Sequence, residues 1–235
     1  MKPIRKLIYK ILNRLLYSGR FGDIPLRKSL LDYLPDSPIS YVDVGAYDGH
    51  FYEVIAAEKN ISKAILIEPQ NDFFNQLQLK YGTSDKVRLI NAVITNEEKD
   101  VFFHENKLSA TSSLLQADEI NLGKEIDISG KTISKRGKNL DGVISDINYK
   151  IDLLKIDVQG AELEVLKGGS QTLKRTAFIW IEVSFKPLYK NSPLFEDIKS
   201  FLEDKGFIML TILPGFKSKS GELLQADCLF KNTVI

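Results

Sequence analysis

Apolar and polar positions along the chain switch between two periods. Short apolar runs at 39–44, 63–67, 87–93, 151–156 and 177–183 read as buried strands. Between them, 49–59, 72–80, 161–167 and 193–205 carry the spacing and boundary residues of helices. Strand alternating with helix predicts a parallel sheet with right-handed crossovers and helices on both faces. The last two apolar runs, 207–213 and 224–230, flank a segment with Pro214, Gly215 and Gly221 that is short enough only for an antiparallel hairpin. The fold class is α/β, mostly parallel, with a C-terminal antiparallel strand.

The pattern departs from this alternation in two places. Ile4, Leu7, Ile8, Ile11, Leu12, Leu15 and Leu16 recur every three or four residues beside Lys2, Arg5, Lys6, Lys10 and Arg14, which predicts an N-terminal amphipathic helix with a basic back. Its apolar face needs a partner: the domain itself, a second subunit in a homo-oligomer, or peripheral contact with a membrane surface. From about 100 to 140 the long periodic segments give way to polar residues and short alternating runs, read as a loop or hairpin insertion suited to a lid or acceptor-binding region. The organisation is a helical extension over 1–35 and one domain over 36–235 that carries this insertion.

Composition narrows the picture. A chain of 235 residues with 43% hydrophobic content can bury one full core. Its net charge of +1 supplies no global field for nucleic acid. Cys228 is the sole cysteine, which excludes an intrachain disulfide and a thiolate metal cluster and suits a reducing compartment, so the expected location is cytoplasmic. The basic residues of the N-terminal segment exclude a signal peptide or a membrane span there, and leave the inner membrane surface as the place to which that helix would direct the protein.

The candidate chemistry lies at two strand-turn-helix units. In the first, Gly45 and Gly49 let backbone approach a ligand, and the helix that follows offers unpaired N–H groups. Asp43 at the strand tip can accept from a cationic or amino group. Glu68 follows Gly49 by 19 residues, at the end of the next strand, where a carboxylate can take both hydroxyls of a ribose. Together they describe a nucleoside site. Asp48 in the turn would repel a diphosphate, whereas a site with Asp43, Asp48 and Glu68 suits the sulfonium of S-adenosylmethionine.

The ordered motifs Asp43-Val-Gly-Ala-x-x-Gly49, Ile67-Glu68-Pro69, Asn91-Ala92, Thr111-Ser112-Ser113-Leu114, Asn139-Leu-Asp141, Leu154-Lys-Ile-Asp157-Val-x-Gly160-Ala-Glu162 and Ile181-Glu182-Val183 resemble those of the FkbM-type methyltransferases. The resemblance covers about residues 39–230. It implies a class I, Rossmann-like methyltransferase that uses S-adenosylmethionine, releases S-adenosylhomocysteine, and acts on a hydroxyl of a sugar, glycolipid or glycosylated natural product. It implies that Asp43, Gly45 and Gly49 line the methionine end of the cofactor, with Glu68 on the ribose, Asn91 and Ala92 at the adenine edge, and Asp157 below the sulfonium. Tyr47 stands in the cofactor turn where the family commonly has Asn, and Gln159 stands where it commonly has Glu.

Methyl transfer to a hydroxyl needs positioning and one base. Asp157 and Glu182, at adjacent strand tips, are candidates for that base, and so is His104 near the insertion. Ser112 and Ser113 are candidate donors to the acceptor. Glu162, at the start of a helix, can reach back to the acceptor or simply stabilise the helix's first turn. A divalent metal in place of the base would have only Asp157 and Glu182 to hold it, which is a weak ligand set. Lys131, Lys135, Arg136 and Lys138 form a basic run that is either a solvated face or a contact for an anionic acceptor. The rival functions are an NAD(P)-binding oxidoreductase, a nucleic-acid methyltransferase and a non-catalytic cofactor-binding module.

Overall fold

The computed structural model describes residues 26, 29–107, 109–119, 122, 127 and 129–235. The expected N-terminal amphipathic helix lies outside these residues. Strands β1 (Ile39–Val44), β2 (Ile61–Ile67) and β3 (Val87–Ile90) pair in parallel, with β1 in the middle of the sheet. Beyond β1 come β7 (Ile151–Ile156) and β8 (Thr176–Ser184), also parallel. The sheet closes with β9 (Phe207–Pro214) and β10 (Gln225–Asn232) in the order β3-β2-β1-β7-β8-β10-β9. The expected hairpin forms, and β10 inserts antiparallel between β8 and β9.

Period-two alternation assigns each strand residue to one of two cores. Val42, Val44, Leu154, Ile156, Ile179 and Ile181 face one side. There they meet helices α3 (Leu140–Val143), α4 (Glu162–Gly168), α5 (Ser170–Lys174) and α6 (Phe195–Asp204). Tyr41, Leu153, Trp180 and Leu229 face the other side. They pack against Ile55 of α1 (His50–Glu58), Leu77 of α2 (Asn71–Tyr81) and the segment with Leu30, Leu31 and Leu34. Burial on both faces explains the continuous apolar runs of the central strands.

The run expected as one strand over 87–93 is divided. The Asn91 side-chain amide donates to the backbone carbonyls of Glu68 (3.0 Å) and Pro69 (3.4 Å), and β3 ends at Ile90. The chain then enters a second sheet, β4 (Val93–Thr95), β6 (Gly130–Asn139) and β5 (Lys99–Asn106), in the order β4-β6-β5. β5 and β6 are antiparallel and pair from Lys99 opposite Gly137 to Asn106 opposite Gly130. Phe103 is the buried residue of β5 and Gly137 that of β6, so this sheet offers little apolar periodicity to sequence reading.

Candidate active site

The strand order reverses between β1 and β7, and in an open α/β sheet the crevice at the carboxyl ends of such strands is where ligands bind. Gly45 closes the β1 side of this crevice. Its φ is +86°, and a Cβ there would come 1.8 Å from the carbonyl oxygen of Asp157, so the tips of β1 and β7 can meet only because residue 45 is glycine. The space left by Gly49 is likewise taken by Leu77 and Tyr81 of α2. Both glycines therefore let protein pack closely against protein on the side where a Cβ would stand.

One N–H at the start of α1 is taken by protein, because the Asp48 carboxylate accepts from the His50 N–H at 3.0 Å. Glu68 is 2% exposed and reaches across to this turn: one oxygen accepts from the Tyr47 N–H and the other from the Gln70 N–H, both at 2.8 Å. Burial raises its pKa to about 7, against the lowering by those two donors. Each oxygen keeps a second lone pair, so the carboxylate can still receive a hydroxyl. Tyr47 has a φ of +51° and rests its ring against Phe73 at 4.0 Å between centroids. Asn91 and buried Ala92 follow at the tip of β3, beside Glu68.

Asp43 does not present its carboxylate to solvent. Register pairing sets it opposite Lys155, whose ammonium donates to one oxygen at 3.0 Å and to the Gly45 carbonyl at 3.0 Å, while the Tyr41 hydroxyl donates to the other oxygen at 2.6 Å. Burial opposes the charge on Lys155, but Asp43 and Asp157 outweigh it, and the Lys155 pKa is raised. Sequence reading passed over this lysine, although a cation between Leu154 and Ile156 in the apolar run of β7 was the available signal.

Four more acids gather at the carboxyl ends of β7 and β8 and the amino end of the antiparallel β10. Asp157 lies 3.6 Å from the Lys155 ammonium and is partly exposed. Glu182 is directly opposite Asp227 in the β8–β10 ladder. One amide nitrogen, that of Gln159, donates to Asp157 (2.8 Å) and to Glu182 (2.9 Å), and the Gln225 amide donates to the same Glu182 oxygen at 2.6 Å. Burial and the neighbouring Asp157 and Asp227 push the Glu182 carboxyl well above its usual range, and burial takes Asp227 to about 7. Glu162 is 4% exposed and accepts from the N–H groups of Val158 and Gly160, so it braces the turn that leads from β7 into its own helix; burial raises it to about 7. Gln225 and Asp227 were not singled out from sequence, because the β8–β10 register that brings them here is not readable locally.

Ser113 donates to the Gln159 carbonyl at 2.6 Å and so fastens the insertion to the turn after β7. Ser112 instead accepts from the Asn106 N–H within the insertion. His104 stands apart from the acids. It hydrogen-bonds Thr132 at 3.0 Å and lines a groove of about 640 Å³ with Leu115, Gly160, Leu163 and Pro193, and burial lowers its pKa. In the basic run, Lys135 donates to the Pro69 carbonyl, while Lys131 pairs with Glu105 and Arg136 with Asp100. Among the described residues no three His, Cys, Asp or Glu side chains converge as a metal site, and no helix is long and apolar enough to cross a membrane.

A mostly parallel sheet with an antiparallel strand between its last two parallel ones, and a crevice where the order reverses, define a class I, Rossmann-like, S-adenosylmethionine-dependent methyltransferase. A model of the methyltransferase FkbM domain matches residues 43–209, and the chain belongs to that family. Among curated proteins it is similar to the 2-O-methyltransferase NoeI of Sinorhizobium fredii, at 26% identity over 220 residues that cover 85% of this chain and 81% of that one. Among solved structures it is similar in fold to methyltransferase FkbM from Methylobacillus flagellatus KT, with a TM-score of 0.52 and 15% identity. That match covers 83% of this chain, which spans 43% of the length of the solved protein. An uncharacterized protein from Listeria monocytogenes serotype 4b has a TM-score of 0.53 and 10% identity, covering 92% of this chain and 70% of that one.

Proposed function

We propose that the protein transfers a methyl group to a hydroxyl of a sugar, glycolipid or glycosylated natural product. The observation that carries this reading is the convergence of Asp157 and Glu182 at the carboxyl ends of β7 and β8, next to the crevice between β1 and β7. Similarity to a 2-O-methyltransferase supports oxygen as the acceptor atom.

When bound, S-adenosylmethionine supplies an electrophilic methyl on a sulfonium and leaves as neutral S-adenosylhomocysteine. Glu68 receives the ribose hydroxyls on its remaining lone pairs, Asn91 and Ala92 border the base, and the turn from Gly45 to Gly49 borders the methionine end. Asp43 contributes indirectly by fixing Lys155 beside Asp157. With a methyl donor bound, Asp157 would take the proton of the acceptor hydroxyl as that oxygen is methylated, the leaving group being the neutral thioether. Glu182, whose carboxyl burial and the neighbouring Asp157 and Asp227 push well above its usual range, lies beside Asp157 and orients the acceptor. Ser113 holds the insertion over the site. His104 lines the groove wall.

Calorimetry with S-adenosylhomocysteine, followed by labelled-methyl transfer to a panel of glycosides, glycolipids and nucleotide sugars, tests the reading. We expect binding, transfer to a hydroxyl, and a fall in kcat of roughly 10²–10⁴-fold for Asp157→Asn with S-adenosylhomocysteine affinity kept. Full turnover by Asp157→Asn would remove it from the role of base, and absence of S-adenosylhomocysteine binding would remove the cofactor assignment. A nicotinamide cofactor is the less supported reading, because the Asp48 carboxylate stands at the start of α1, where its negative charge would oppose a pyrophosphate.

A further inference from the structure

Gln159 has an unusual setting for an uncharged side chain. Its backbone is in the left-handed region at φ +57°, where a residue with a Cβ is strained. Two contacts keep it there: the Ser113 hydroxyl donates to its carbonyl at 2.6 Å, and the next residue, Gly160, lies under the Tyr189 ring, which a Cβ would approach to 2.9 Å. The Tyr189 hydroxyl shares its one proton between the Thr111 carbonyl at 3.0 Å and the Gln159 amide oxygen at 3.1 Å, and the second contact directs the NH₂ group to the acids. Both N–H bonds are then used, one on Asp157 and one on Glu182.

We propose that Gln159 is a positioning residue whose amide, aimed by Tyr189, yokes Asp157 to Glu182 and sets their separation for proton transfer. The proposal rests on the methyl-transfer reading for its catalytic meaning, while the yoke itself can be measured without turnover. A neutral side chain with two donors suits this place because the surroundings are already acidic. Asp157 and Glu182 are joined there by Asp227 on β10, Glu162 at the start of α4 and Asp43 on β1, with the Lys155 ammonium as the nearby cation and the Tyr189 phenol across the turn. A carboxylate at 159 would offer these acids no proton to accept and would add a further negative charge in a poorly solvated pocket.

Gln159→Glu is nearly isosteric and changes only charge and donors. Its melting temperature, compared with wild type from pH 5.5 to 8.5, reads the yoke directly. A carboxyl whose folded pKa is raised above its unfolded value destabilises as pH rises through that interval, so we expect the deficit to grow by about 5 °C or more toward pH 8.5. A deficit that is constant with pH would overturn the proposal. In turnover, we expect kcat to fall by roughly 100-fold at pH 7, the KM for S-adenosylmethionine to stay within about threefold, and the acid limb of the kcat profile to move up by about one pH unit. An unmoved acid limb, or kcat within about twofold of wild type, would also overturn it. Tyr189→Phe removes the aiming hydroxyl without adding charge. It should lower kcat while leaving the acid limb in place, and unchanged kcat would count against the aiming role. If wild type failed to bind S-adenosylhomocysteine, the methyl-transfer reading would fall, and the melting comparison would still decide the yoke.

Discussion

Lys155 puts a charge inside a strand whose neighbours Leu153, Leu154 and Ile156 are all buried, and it is tolerated because β1 sets Asp43 directly beside it. Taking two charges out of water is costly, so the pair adds little net stability, but removing one partner strands the other. Lys155→Met should therefore cost about 3–5 kcal/mol in chemical denaturation, and Asp43→Leu combined with it should restore most of that loss. Equal losses in the single and double variants would show that the pair does not matter. Asp43 was legible from sequence as a site residue, but its partner was not. A motif shows that an acid sits at a strand tip, whereas the cation it meets lies 112 residues away and depends on register.

Elements were legible in proportion to how deeply they are buried. β1 and β7 match their expected limits because every side chain on both faces packs, and continuous apolar runs result. The β5–β6 ribbon was visible only as a weak insertion, since most of its positions are partly or fully exposed. The Asn139-Leu-Asp141 motif proves to be capping chemistry. Asn139 accepts from the Gly142 N–H at 2.7 Å to start α3, and Asp141 accepts from the N–H groups of Gln171 and Thr172 and from the Thr172 hydroxyl to start α5. One residue so joins two helices of the same layer. Asp141→Ala should lower unfolding free energy by about 1–3 kcal/mol, with S-adenosylhomocysteine affinity within about twofold of wild type. A large loss of affinity would mean that the cap shapes the crevice as well.

Across the whole molecule, the buried acids couple folding to proton binding. Glu68, Glu162 and Asp227 each have a folded pKa raised to about 7 by burial. Between their unfolded values and about 7 the native state binds more protons than the unfolded chain, so stability declines as pH rises through that window. From the contribution of these groups the melting temperature should fall by several degrees between pH 5 and pH 8, with saturating S-adenosylhomocysteine recovering part of the loss. A flat profile from pH 5 to 8 would contradict the burial of these carboxyls. The placement of β10 also has a consequence in time. A ribosome finishes β8 about forty residues before β10, and at roughly 5–20 residues per second the edge of β8 with Phe178, Ile179, Trp180 and Ile181 waits about 2–8 s without its neighbour. Neither Gln225 nor Asp227 can reach Glu182 during that interval, so a nascent chain has no assembled acid cluster and carries an adhesive strand edge, which makes this the stage of synthesis at which a chaperone would matter most.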